Sequence, residues 1–408
     1  MERGEGLIMR FWGVTGTNGK TTVTWIAASF INADPARKCG YVTTVEVNTG
    51  SRRFSTGYTT PPLAQLKEIF AEMEANGCTD CVMEVSSHAI HQHRTGDTVC
   101  SGGVFTNLSE DHLDYHKTME AYFDVKLDFA RQIAAAHPTT PDMGRRDLPP
   151  YVVCLDGGYG REMFNAVGNL AVNVIPVAAK KVKVKGEGEQ WNYDLSELKL
   201  VGDYNQSNVL CAAALAEAAG IPHDAIQAVI PTLKPRWGRL EEVKVRGEGE
   251  GEGPRVFVDF AHTPDGLEKV LTAVRAEMRR DSNNRTIKQS NNSLWVVFGA
   301  GGDRDPMKRP LMGAACAKLA DRLVVTSDNP RSEDPMAIIE AILGGIDSNR
   351  RQSVAVEPDR KAAIELALRE AGEGDVVIIA GKGHETTQEI KGVKHPFDDR
   401  EVVRNFAG

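Results

Sequence analysis

The feature that most constrains this chain is the decapeptide Gly13-Val-Thr-Gly-Thr-Asn-Gly-Lys-Thr-Thr22. It sits between an apolar run, Leu7 to Trp12, and a helix-like run, Val23 to Ala33. Strand, glycine-rich turn and Lys-Thr at a helix start is the layout of a phosphate-binding loop. Glycines let the backbone wrap phosphate oxygens, and the helix N-terminus adds N–H donors. Gly16, Thr17, Asn18 and Gly19 would form the turn, with Lys20 reaching the β/γ-phosphates, Thr21 a Mg²⁺, and Thr22 closing the run. The general pattern would need glycine at Val14; the glycines fall instead at Gly13, Gly16 and Gly19. The loop alone specifies a nucleoside triphosphate. The selector of a second substrate must lie later in the chain or on another protein.

The chain has 408 residues, room for two or three domains. Short β-branched runs alternate with amphipathic helices, which predicts a parallel α/β architecture. Strands are expected at Leu7–Val14, Cys81–Val85, Gly103–Phe105 and Tyr151–Leu155, then at Val256–Phe260, Leu294–Phe298, Arg322–Thr326 and Val376–Ala380. Nearly all run into polar, glycine-containing segments, and ligands of open α/β sheets bind beyond the carboxyl ends of strands. Three polar stretches read as surface loops: 137–150, the glycine–glutamate repeat Gly247–Gly253 as a hairpin tip, and 279–293. A net charge of −8 argues against a nonspecific nucleic-acid binder. No apolar run approaches the roughly 18 residues of a membrane span, and no signal peptide is visible. Seven scattered cysteines suggest a reducing compartment, so a cytoplasmic location is expected. Cys78-Thr-Asp-Cys81 has redox or zinc spacing, but without a second pair it reads as coincidence.

Two further segments carry chemistry. Glu84-Val-Ser-Ser-His-Ala-Ile-His-Gln-His-Arg94 follows one predicted strand, and Thr106-Asn-Leu-Ser-Glu-Asp-His-Leu-Asp-Tyr-His116 follows another. Carboxylates and histidines at strand ends beside a phosphate loop suit Mg²⁺ handling and an anionic substrate. Lys126 lies in a predicted helix, Met119–Ala136, on a stripe with Tyr122, Phe129 and Ile133. It is either a lysine snorkelling at the edge of that stripe or a desolvated amine. A desolvated amine can take up CO₂ and become an anionic carbamate.

These segments together resemble the ATP-dependent Mur ligases of peptidoglycan synthesis. The resemblance continues through Gly202-Asp-Tyr-Asn-Gln-Ser-Asn208, Gly238-Arg-Leu-Glu241, Val258–Asp265, Gly301-Gly-Asp-Arg-Asp305, Ser327–Pro335 and Gly381-Lys-Gly-His-Glu385. It implies a central ATP-binding domain over 1–240, with a mostly parallel sheet, and a Rossmann-like, amino-acid-binding domain over 241–408. It also implies roles. Lys20 would hold ATP, Thr21 and Glu84 would serve Mg²⁺, and His112 with a carbamoylated Lys126 would complete a second metal site. Thr59, Thr60, Ser86, Gln92 and Arg94 would hold the muramoyl-dipeptide. Asn208, Arg239 and Asp259 would surround ATP. Asp328-Asn-Pro-Arg331 resembles the form that takes meso-diaminopimelate, whose extra carboxylate suits the planar fork of Arg331. Arg304, Asn329, Gly381 and Glu385 would complete that pocket.

The implied reaction is amide formation at the D-glutamate of UDP-MurNAc-L-Ala-D-Glu through an acyl phosphate, in a site closed by domain movement. Two other readings remain: a ligase of the folylpolyglutamate or cyanophycin type, and a non-catalytic homologue kept as a scaffold. The sequence leaves no room before the phosphate loop for the family's uridine-binding domain. The chain alone is therefore expected to bind ATP, to ligate weakly and to prefer UDP-linked substrate little, unless a separate UDP-binding domain or partner supplies that handle.

Overall fold

In a computed structural model of the chain, the described residues are 9–140, 142–179, 193–245, 253–284 and 292–407. The chain divides into two compact units, Met1–Leu233 and Lys234–Gly408. Both are α/β.

The first unit is built on eight strands: β1 (Arg10–Thr15), β2 (Cys39–Val42), β3 (Val47–Asn48), β4 (Arg53–Phe54), β5 (Asp80–Glu84), β6 (Cys100–Phe105), β7 (Pro150–Cys154) and β8 (Asn173–Val177). Their order across the sheet is β4-β3-β2-β5-β1-β6-β7-β8. The six strands from β2 to β8 pair in parallel, and β3 and β4 add an antiparallel edge. β5 is buried at every residue, as expected of a strand covered on both faces. Strand order places the site. β1 lies between β5 and β6, with Val14 opposite Glu84 and Thr15 opposite Phe105. The loops leaving these three strands therefore emerge side by side, although about 70 and 90 residues separate them in sequence.

The helices that matter for the site are α1 (Lys20–Ile31), α2 (Leu63–Ala75), α3 (Ser87–His91), α4 (Leu113–His116) and α5 (Met119–Ala136). α1 starts directly at Lys20, three residues before the apolar run that suggested it, because the loop's last glycine, Gly19, serves as N-cap. α5 has the bounds the stripe predicts, and its start is capped by the Thr118 side chain on the Ala121 amide. Its buried face is Tyr122, Lys126, Leu127, Phe129, Ala130 and Ile133. That face reaches the sheet only because β1 and β6 offer bare backbone. A Cβ on Gly13 would lie 2.2 Å from Phe129 Cζ, and one on Gly103 would lie 2.8 Å from Ile133 Cδ1.

The second unit holds β9 (Glu241–Glu242), β10 (Arg255–Asp259), β11 (Leu294–Phe298), β12 (Arg322–Val325), β13 (Ala355–Val356) and β14 (Val376–Ala380), ordered β13-β12-β11-β14-β10-β9. All neighbours pair in parallel except β9 with β10. A separate hairpin, β15 (Thr387–Ile390) with β16 (Val393–Pro396), follows. The hairpin tip expected at Gly247–Gly253 lies almost wholly outside the described residues, as do Leu7 and Ile8. The expected loop at 279–293 needs correction. A helix runs from Pro264 through Asn284, so its first six residues are helical. Arg and Asn there read as loop composition, yet straight-chain arginines are good helix formers. All seven cysteines are buried free thiols, Cys78 and Cys81 included.

Gly13→Ala should therefore destabilise the first unit by about 1–3 kcal/mol, because the new methyl collides with Phe129. Urea unfolding of the full chain measures it. Adding Phe129→Leu should recover part of the loss; no recovery would show that the collision is not the cause.

Candidate active site

The phosphate loop is held open by its neighbours. Gly16 and Gly19 have φ of 144° and 83°, which glycine alone adopts without strain. A Cβ at Gly16 would lie 2.0 Å from Thr106 Oγ1, and one at Gly19 would lie 2.5 Å from Asn208 Oδ1. The segment after β6 staples the turn. The Asn18 amide donates to Asn107 Oδ1 at 3.0 Å, and Thr106 Oγ1 donates to Asn18 O at 2.7 Å. The Ser109 amide donates to Thr17 Oγ1 at 3.1 Å, and Tyr122 OH lies 3.2 Å from the same hydroxyl. Lys20 curls over its own turn, donating to Gly16 O and Thr17 O at 3.1 and 2.8 Å.

Beside the loop lies a buried carboxylate. Glu84, at the end of β5, is only 1% exposed. Its Oε1 accepts from Thr21 Oγ1 at 2.7 Å and from the Thr44 amide at 2.8 Å, and its Oε2 from Thr44 Oγ1 at 3.1 Å. Thr60 Oγ1 donates to Glu84 O at 2.8 Å and accepts from the Ser86 amide at 3.0 Å. Thr59 reaches the same network through Thr44, hydroxyl to hydroxyl at 3.0 Å. Arg94 donates to Thr60 O at 3.3 Å and to Gln92 Oε1 at 2.8 Å, which places both at the exposed rim.

Lys126 settles its two readings. The amine is buried, not snorkelling, and donates to Thr15 Oγ1 and Gly16 O, each at 3.0 Å. Both acceptors are neutral. Burial, reinforced by the nearby Lys20 charge, holds the amine well below the usual lysine range. His112, in a left-handed turn at the start of α4, is held down to about 4, chiefly by burial, and so is neutral near pH 7. Its Nε2 lies 3.5 Å from Asp111 Oδ2. Two further histidines crowd the place: His88 is edge-on to His112 at 4.9 Å, and His116 stacks on Tyr122 at 4.8 Å. Asn208, on the helix Asp203–Ala218, is buried against Gly19 and bonds Asn205 Oδ1 at 3.1 Å.

In the second unit, Asp259 ends β10. Its carboxylate accepts from the Leu240 and Ala261 amides, both at 2.7 Å, and burial raises its proton affinity. Arg239 stacks on Phe260 at 4.6 Å. The loops after β12 and β14 meet in one polar cluster. Glu385 Oε2 accepts from Asn329 Nδ2 at 2.8 Å and from the buried Lys382 at 2.7 Å. Asp328 Oδ1 accepts from the Asn329 amide at 2.7 Å, while its Oδ2 points at the bare Cα of Gly381. Arg331, at φ 51°, donates to Gly302 O at 2.5 Å and faces Glu389 at 3.7 Å. Arg304 is exposed and donates to Asp303 O; it and Arg331 both border Gly301.

Sequence reasoning missed Thr44, Asn107, Tyr122 and Lys382 as site residues. It also missed Arg360, which is fully buried, forks onto Asp399 through two 2.8 Å bonds, and ties down Ser327 O and Ala380 O. Asn107, Tyr122 and Lys382 lay in segments already singled out, Thr106–His116, the Lys126 stripe and Gly381–Glu385, but without a role of their own. Thr44 and Arg360 carried no signal, because they act through three-dimensional neighbours far away in sequence.

Comparison with known proteins agrees with this geometry. The Mur ligase middle domain matches residues 14–216, and the Mur ligase, glutamate ligase domain matches residues 238–383. The UDP-N-acetylmuramoyl-L-alanyl-D-glutamate–2,6-diaminopimelate ligase of Neisseria meningitidis serogroup A is 38% identical over 407 residues, covering 97% of this chain and 77% of that protein. A solved structure of a ligase bearing the same name has a TM-score of 0.57 at 32% identity, covering 97% of this chain and 77% of the other. A bifunctional folylpolyglutamate synthase/dihydrofolate synthase solved with Mn, AMPPNP and L-glutamate bound has a TM-score of 0.61 at 17% identity, covering 92% and 87%; at that identity it shares the fold alone. These matches make the chain, with its phosphate loop, buried carboxylate and desolvated lysine, an ATP-dependent ligase. The chain belongs to the Mur ligase family. No described helix is long and apolar enough to cross a membrane.

One pH dependence follows. Burial, with Arg239, Arg400, Lys382 and His262 around it, lowers His384 to about 3. An unfolded histidine titrates near 6.5, so between those values the unfolded chain binds the extra proton and stability falls as pH drops. NMR should show the His384 ring neutral throughout pH 4.5–8. The urea midpoint should fall less between pH 6.5 and 4 in His384→Gln than in the wild type.

Proposed function

We propose that the chain adds meso-diaminopimelate to the D-glutamate of UDP-MurNAc-L-Ala-D-Glu, a step in making peptidoglycan precursors, with ATP and Mg²⁺ as cofactors and the cytoplasm as its place of work. The observation that carries the reading is the buried Lys126 amine lying on Thr15 and Gly16, the same loop that would receive the ATP phosphates.

Mg²⁺ suits the donor set. It usually keeps several waters and takes one or two carboxylates together with substrate phosphates, so it needs no cage of protein ligands. Among the described residues no cluster of three or more His, Cys, Asp or Glu side chains forms such a cage. Thr21 and Glu84, 2.7 Å apart, offer hard oxygens beside the loop. The neutral ring of His112 and a carbamate on Lys126 would serve a second ion. When bound, Mg²⁺ neutralises charge on the phosphoryl group in transfer.

The chain's own residues do the rest. Lys20 uncurls from Gly16 O and Thr17 O onto phosphate oxygens. The Lys126 amine adds to CO₂ and loses a proton, turning a buried base into a buried anion. Thr59, Thr60, Ser86, Gln92 and Arg94 orient the acceptor so that its D-glutamate carboxylate attacks the γ-phosphorus and ADP leaves. The neutral amine of diaminopimelate attacks the acyl phosphate carbon, phosphate departs, and the nitrogen sheds a proton to give the amide. Arg239, Asp259 and Asn208 take positions around the nucleotide. Asp328, Asn329, Arg304, Arg331, Gly381 and Glu385 form the amino-acid pocket. Its distal carboxylate would replace Gly302 O on Arg331, and its distal ammonium would meet Glu385.

The chain incubated with ATP, Mg²⁺, the UDP-linked dipeptide and meso-diaminopimelate should release phosphate in step with tripeptide, and L-lysine should serve poorly. Arg331→Ala should raise KM for diaminopimelate by an amount equivalent to about 2–5 kcal/mol while leaving ATP binding near wild type. Normal use of diaminopimelate by Arg331→Ala, or a wild-type preference for lysine, would show the pocket assignment to be wrong.

A further inference from the structure

Thr44, on the turn after β2, is hydrogen-bonded to two groups given different roles above: the Glu84 carboxylate and the Thr59 hydroxyl. A threonine hydroxyl has one proton to donate. Two acceptors stand within reach of the Thr44 proton, Thr59 Oγ1 at 3.0 Å and Glu84 Oε2 at 3.1 Å, so it serves one of them at a time. Thr44 N–H and Thr21 O–H both rest on Glu84 Oε1.

Two consequences follow. Thr59 offers its lone pairs to the Thr44 proton, so an N–H or O–H of the acceptor that takes those lone pairs turns the Thr44 proton to Glu84 Oε2. A Thr59 fixed by such a donor also fixes Thr44, and through it the rotamer of a nearly fully buried carboxylate that has Thr21 on its other face. Chains of hydrogen bonds in low dielectric polarise and order one another.

We propose that Thr44 is a positioning residue that couples the acceptor end of the site to its phosphate end: acceptor bound at Thr59 organises Glu84 and Thr21 and so tightens Mg²⁺–ATP. The inference rests on the assignment of Thr59 to the acceptor and of Thr21 and Glu84 to the metal–nucleotide.

The test is calorimetric binding of a non-hydrolysable ATP analogue with Mg²⁺, with and without saturating UDP-linked dipeptide. In the wild type the dipeptide should tighten the analogue by about tenfold, within the usual range for coupled sites. Thr44→Val keeps the amide and the shape but removes the hydroxyl, and its coupling should fall below about twofold. Thr44→Ser should retain it. Thr59→Val should lose it as well, with no further loss in the double variant. If Thr44→Val fails to fold, Thr59→Val and Thr44→Ser carry the test, since they alter and preserve the same hydrogen bonds. A wild type that binds both ligands without coupling, or a folded Thr44→Val that couples as the wild type does, overturns the inference and leaves the proposed function standing. A wild type that binds neither ligand overturns the proposed function first.

Discussion

The first unit is organised around one costly contact, the Lys126 amine pressed against Thr15 Oγ1 and Gly16 O in a place that water does not reach. A buried lysine with neutral acceptors is held toward its uncharged form. The unfolded chain holds that proton more tightly, so burial lowers stability below the ordinary lysine range, and the cost fades as pH rises toward about 10.4. The rest of the α5 face supports this placement. Phe129 and Ile133 seat the helix on the bare backbone of Gly13 and Gly103, and Tyr122 ties it to Thr17. The offset glycine spacing thereby acquires a reason. Gly13 makes room for α5, while Gly16 and Gly19 make room for Thr106 and Asn208.

The second unit handles charge differently. Its buried cations are neutralised in place: Arg360 by Asp399, Lys382 by Glu385, and Arg309 by a two-bond fork onto Glu333. Arg360 also fastens Ser327 O and Ala380 O, the last carbonyls before Asp328 and Gly381, so one guanidinium sets the spacing of the two loops that bring Asp328 and Glu385. Lys382 then sets the Glu385 rotamer. Buried ion pairs of this kind contribute little net stability, but they fix geometry, which a pocket that discriminates between amino acids requires.

Much of this was legible in the sequence. Buried parallel strands are near-continuous apolar runs, so β5, β11 and β14 appeared as such. The stripe on α5 gave its bounds, because 3.6-residue periodicity over 18 residues is a strong signal. Short edge strands such as β3 and β4, two residues each, carry no periodicity and were not anticipated. The burial of Lys126 was not decidable from spacing, since a snorkelling and a buried lysine share the same stripe; only the backbone opposite it, Gly13 and Gly16, makes the difference. Thr44 was invisible, and the role of Asn107 inside Thr106–His116 was hidden, for a related reason. Each is an ordinary polar residue whose partners, Glu84 and Asn18, are brought to it by strand order rather than by sequence.

Whether the Lys126 amine takes up CO₂ is read most directly by ¹³C NMR of the intact chain in ¹³C-bicarbonate, with and without Mg²⁺ and an ATP analogue. One carbamate carbon is expected that is absent from Lys126→Met, strengthens with Mg²⁺, and disappears as pH falls and the amine is protonated. A spectrum with no carbamate in the wild type, together with an ordinary lysine titration for Lys126, would contradict that uptake.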